Sequence, residues 1–127
     1  MQDPESIVES FIGDYYRWND RSRTRCASMS PEMLAAAERE YELLLSQYCK
    51  PGFRGQAIAF GSPSAHDPDR EEIRQTRISG DGAIVTTTKT DEDGFQADYE
   101  FILTLSDGRW FLEAVDYIDD EGRYPGL

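Results

Sequence analysis

Few side chains in this sequence are suited to covalent or metal chemistry. The 127 residues hold a single histidine, His66, and two cysteines, Cys26 and Cys49. One histidine makes no ligand pair at metal spacing. A Ser-His-Asp triad would have to use His66, which sits in a Pro-rich stretch with no nucleophile-elbow sequence beside it. The run Ser64 to Asp69, SAHDPD, reads instead as a turn with His66 and Asp67 pointing to solvent. The cysteines lie 23 positions apart, which fits neither a metal motif nor a disulfide framework. Both read as packing residues, although Arg23 and Arg25 precede Cys26 and nearby cations lower a thiol pKa. No glycine-rich phosphate loop follows a strand, and no cofactor or metal is expected.

Carboxylates are the abundant chemistry. There are 25 acidic against 13 basic side chains, a formal net charge of −12. The excess is uneven: residues 91–127 carry eleven acids and two bases, whereas residues 51–90 carry five of each. Such a surface repels a phosphate backbone and an anionic membrane, which argues against nucleic-acid binding and against a membrane anchor. The concentrated charge either keeps the protein soluble or steers a basic partner. Arg21, Arg23 and Arg25 read as a solvated helix end, with pairing to the acidic region or contact with RNA as the alternatives.

These groups must be positioned by two helices and a run of strands. Asp3 is suited to cap a helix, Pro4 to its first position and Glu5 to its dipole. Ile7, Val8, Phe11, Ile12, Tyr15 and Trp18 then recur at helical spacing, and fraying is expected from Asn19 to Arg25. Ser30-Pro31-Glu32 repeats the start signal, a second apolar stripe runs from Met33 to Tyr48, and Pro51-Gly52 stops it. Beyond this the period falls to two. Strands are expected at Ala57 to Phe60, Glu71 to Ser79, Ala83 to Thr90, Phe95 to Leu105 and Trp110 to Ile118. Short Gly/Asp turns between the later four force antiparallel neighbours. The outcome is one α+β domain spanning residues 1–127, its N-terminal helices packed on one face of a curved antiparallel β-sheet. The longest apolar run is five residues, Met33 to Ala37, too short to span a membrane. The polar, acidic N-terminus lacks a secretory signal, so a cytoplasmic location is expected.

The Asp107-Gly108 turn fixes a register. With a two-residue loop, Leu105 faces Trp110, Leu103 faces Leu112, Phe101 faces Ala114 and Tyr99 faces Asp116, giving an almost wholly apolar side. The other side pairs Thr104 with Phe111, Ile102 with Glu113, Glu100 with Val115 and Asp98 with Tyr117. That mixture of acids and large apolar groups is the candidate interface: Asp98, Glu100, Phe111, Glu113, Val115 and Tyr117, continuing into Asp119, Asp120 and Glu121. Cover by the first strand, the C-terminal tail or a second subunit is the structural alternative. The same register puts Asp116 on the core side, either satisfied by a tyrosine hydroxyl or indole N–H, or available as a general base.

The stretches LSQYCKPG, IAFGSPSAHDP, ADYEF and GRWFLEAVDYIDDEGRYPGL resemble those of bacterial immunity proteins with the nuclear-transport-factor-2-like fold. The resemblance is clearest from Tyr41 to Leu127, and the N-terminal helices match in character only. It implies a cone-shaped domain, nuclear-transport-factor-2-like or cystatin-like. It also implies a role in neutralising the C-terminal domain of a polymorphic toxin of the contact-dependent or Rhs kind, by non-covalent binding and without catalysis. No shared set of toxin-contacting residues carries over, so the interface above rests on register and charge.

The leading expectation is therefore an immunity protein, monomeric or weakly dimeric, whose partner is a cognate and basic toxin domain. The alternative is a small-molecule enzyme or binder of the ketosteroid-isomerase-like kind. It would use a cavity around Asp116, lined by Tyr99, Tyr15 and Trp18.

Overall fold

A computed structural model describes residues 3–25, 30–51, 53 and 66–125 of the chain. Helix α1 runs Pro4–Arg25 and α2 runs Pro31–Tyr48; strands β1 (Glu71–Ser79), β2 (Gly82–Thr90), β3 (Gln96–Ser106), β4 (Arg109–Asp119) and β5 (Gly122–Pro125) follow. The strands form one antiparallel sheet in the order β1-β2-β3-β4-β5. The α+β expectation holds, with two helices ahead of a five-stranded meander. The strand expected at residues 57–60, Cys26 and residues 61–65 lie outside the described residues. Among those described, no helix is long and apolar enough to cross a membrane.

Asp3 caps α1 through its carboxylate, which accepts from the Ser6 backbone N–H at 2.8 Å. The helix does not fray after Trp18. Asn19 and Ser22 are buried at 3% and 0% exposure, so small polar residues continue the stripe set by Phe11, Tyr15 and Trp18. A reading confined to apolar positions stops one turn too early. Helix α2 ends at Tyr48 because Cys49 turns extended and bridges Leu112 of β4.

The helices pack on one side of the sheet, hereafter the inner face. Val8, Phe11 and Trp18 of α1 and Leu44 and Leu45 of α2 form one core with Val85, Phe101, Leu103, Trp110, Leu112 and Val115. The Trp18 indole N–H donates to the Ala37 carbonyl at 3.0 Å, locking α1 to α2. Burial of this order, about 1.5–3 kcal/mol per large apolar side chain, holds the layers together.

The Asp107-Gly108 turn has positive φ at both central residues, 53° and 77°, the backbone that suits the twist of a two-residue hairpin. The expected register then holds through Ser106↔Arg109, Leu105↔Trp110, Thr104↔Phe111 and Leu103↔Leu112. It changes at Glu113, an extra residue in β4. From there the pairs are Ile102↔Ala114, Phe101↔Val115, Glu100↔Asp116, Tyr99↔Tyr117 and Asp98↔Ile118. One inserted residue exchanges the two faces for the rest of the strand.

That β-bulge corrects three expectations. Val115 is in the core at 1% exposure, not on the outer face. Tyr117 is half-buried on the inner face, its ring 5.7 Å from that of Tyr99. Asp116 is on the outer face, opposite Glu100. The physical reason is the choice between burying a valine, favourable by about 1.5–3 kcal/mol, and burying a carboxylate, which costs several kcal/mol.

Candidate functional site

The outer face is built in rows, one residue per strand. The first row is Gly82, Thr104 and Phe111; the second is Arg77, Ile84, Ile102 and Ala114. The third is Gln75, Thr86, Glu100, Asp116 and Pro125, and the fourth is Glu72, Thr88, Asp98, Ile118 and Arg123. One end of the face is therefore largely apolar, with Arg77 at its edge, and the other is acidic through Glu72 of β1, Asp98 and Glu100 of β3 and Asp116 of β4.

Hydrogen bonds fix the acids. Arg123 reaches across to both Glu100 and Asp116, the second at 3.1 Å. Thr88 donates its hydroxyl to Asp98 at 2.8 Å, and Thr104 donates to Glu113 at 2.6 Å. The Arg109 guanidinium lies 4.8 Å from the centre of the Phe111 ring and also donates to the Gln47 carbonyl. Of the nine expected contact residues, Asp98, Glu100, Phe111 and Glu113 share this face. Asp119, Asp120 and Glu121 form the exposed turn after β4, where the Asp119 carboxylate accepts from the Glu121 and Gly122 backbone N–H groups.

Two hollows open on the apolar end. One, of about 430 Å³, is lined by Arg77, Ile84, Ile102, Thr104 and Glu113, among others. The other, of about 200 Å³, lies between Lys50, Phe53, Phe111 and Glu113. Glu113 and Thr104 belong to both and form the ridge between them. Ile84 was absent from the sequence-based interface. Its signal was available, since outward positions of β2 follow once Ala83 and Val85 are placed inside.

The inner face holds a polar cluster that sequence reading placed in solvent. His66 is 1% exposed, and its Nδ1 donates to the Glu71 carboxylate at 2.9 Å. The second Glu71 oxygen accepts from the buried Thr87 hydroxyl at 2.5 Å. Aromatic rings surround the imidazole, with Tyr99 at 4.7 Å, Tyr15 at 4.9 Å and Phe101 at 5.5 Å between centroids. Asp67, not His66, makes the turn: its carboxylate accepts from the Asp69 N–H at 2.9 Å. The acid beside Tyr99 and Tyr15 is thus Glu71, and the cavity chemistry expected of Asp116 loses its carboxylate. Burial, reinforced by the charge of Glu71, raises the Tyr99 hydroxyl above its ordinary pKa.

Cys49 is buried, and burial alone pushes its thiol up to about 11, in keeping with a packing residue. Arg23 pairs with Asp20 of its own helix at 3.4 Å, and Arg17 pairs with Asp14. Among the described residues, no three His, Cys, Asp or Glu side chains are grouped to hold a metal ion. Comparison of the chain with family models, with curated proteins and with solved structures finds no match.

Proposed function

We propose that this protein is an immunity protein of the nuclear-transport-factor-2-like kind. It binds a cognate toxin domain in the cytoplasm through the outer face of its sheet and neutralises it without catalysis. The observation that carries the reading is that face itself. Asp98, Glu100, Glu113 and Asp116 stand on it with Arg77 and Arg123 as the bases among them, beside half-buried Ile84, Ile102 and Phe111, while both helices pack on the opposite side. Anchors ringed by charge suit recognition of a protein. An acid surface of this sign gains fast, salt-sensitive association with a basic partner, and a toxin that acts on nucleic acid presents such a surface. The resemblance of the C-terminal sequence supports the same reading.

The test is direct. Purified protein is titrated with the toxin domain encoded by the adjacent reading frame, and cells expressing that domain are supplied with this chain. A stable complex and rescue of growth are expected. Absence of both ends the proposal.

A further inference from the structure

We infer that the apolar end of the outer face is an anchor site for an exposed aliphatic or aromatic side chain of a basic partner, with the acidic rows receiving arginine or lysine side chains that flank it. This inference rests on the reading of the protein as a toxin inhibitor, and it names where and how the contact is made.

Ile84 faces Ile102 directly across β2 and β3, and Ile102 faces Ala114 across β3 and β4. These three make a continuous apolar row, ended by Arg77 on β1, on a face that the helices do not cover. The hollow of about 430 Å³ opens along it, within the range of sites that take a molecule or side chain of a partner. One row further along lie Glu100 and Asp116, and Glu113 stands at the rim of the hollow. Successive residues on one face of a strand are about 6.7 Å apart, so an apolar group seated at Ile102 brings its neighbouring residues within reach of three carboxylates. Arg123 and Thr104 already hold those carboxylates, but Asp98, Glu100, Glu113 and Asp116 outnumber Arg77 and Arg123 on this face, and that excess of acid favours a basic partner. A basic segment with one apolar residue satisfies both halves of the face together.

The two halves have separable kinetic roles. Charge at the rim governs encounter, whereas the desolvated anchor governs dissociation. The experiment compares wild type with the double variant Ile84→Thr/Ile102→Thr, which keeps β-branched residues and hence strand propensity. Binding of the adjacent-frame toxin domain is followed in real time at low and high salt. The expected result is a dissociation rate raised about tenfold or more, with association and its salt dependence unchanged. A parallel measurement needs no variant: isoleucine methyl spectra of the wild-type protein should show Ile84 and Ile102 shifting on addition of the toxin domain, and Ile7 and Ile12 of the core unmoved. If wild type binds while the double variant dissociates at the wild-type rate and these methyls stay still, the anchor site is wrong and the inhibitor reading stands. If wild type does not bind at all, the inhibitor reading fails and takes the anchor site with it.

Discussion

Glu100 and Asp116 face each other across β3 and β4 on the outer side of the sheet, and the guanidinium of Arg123 joins them. Like charges placed directly opposite destabilise a strand pair, so the arrangement needs its arginine. Arg123 is carried there by β5, whose four residues pair with the end of β4. The last hairpin thus supplies the cation that lets two carboxylates share an exposed surface.

The bulge at Glu113 decides which of two adjacent residues is buried, and substitutions report it. Val115→Asp should place a charge in the core and cost about 3–5 kcal/mol. Asp116→Ala, one position along, should cost much less, about 1 kcal/mol or less, because the lost contact to Arg123 is offset by relief of repulsion with Glu100. Urea titration of both variants provides the check. A small loss for Val115→Asp with a larger one for Asp116→Ala would mean that the regular register, without the bulge, is the true one.

His66 and Glu71 form a buried pair that closes on Thr87. His66→Ala removes the ring that Tyr15, Tyr99 and Phe101 enclose and leaves a buried carboxylate with Thr87 but without the imidazole. The expected cost is about 3–5 kcal/mol. Pairing it with Glu71→Gln should recover part of that, with a coupling of about 0.5–3 kcal/mol. Strict additivity in the double-mutant cycle would show that the two side chains do not act together.

The architecture was legible because its signals are local. Asp3-Pro4, Ser30-Pro31 and the Asp107-Gly108 turn are short-range instructions, and the strand boundaries from Glu71 onward fall within a residue or so of the pattern. The candidate face was only half legible. Alternation in β4 runs Trp110, Leu112 and then Val115, Tyr117; the change of phase marks the bulge, but assuming an unbroken ladder hides it. His66 was misplaced for a different reason. A Pro-rich, Asp-rich stretch reads as solvated loop, and nothing nearby in sequence shows that Glu71 and Thr87 offer a buried partner. Strand β5 went unread because its Asp119 turn and four exposed residues carry no apolar alternation.

Stability should decline in alkali, and the sign follows from burial. The Cys49 thiol rises from an ordinary 9.0 to about 11, and the Tyr15 hydroxyl from 10.0 to about 12. Both groups are neutral when protonated, and the unfolded chain releases their protons first. Their contribution is therefore fully present below pH 9 and is lost progressively between pH 9 and 12. Tyr41, Tyr48 and Tyr99 shift in the same direction, chiefly through burial. Denaturant midpoints measured from pH 7 upward should be flat at first and then fall. A Cys49→Ala variant should lose the earlier part of that fall.

Charge on the outer face should control how fast a partner arrives. Asp98 and Glu100 occupy adjacent rows of β3, the first exposed and held by Thr88, the second largely covered and held by Arg123. Reversing both to lysine changes the local field by four charges without touching the core. Association with a basic toxin domain should slow by about tenfold or more at low salt, and the difference should close as salt screens the field over about 8–10 Å. The Asp98 reversal, at an exposed site, should move the melting temperature little, and the Glu100 reversal more, because it sets a lysine against Arg123. Stopped-flow mixing across an ionic-strength series, beside calorimetry of the free variants, separates the two effects. Association rates that match wild type at low salt would mean that the partner meets the molecule on some other surface.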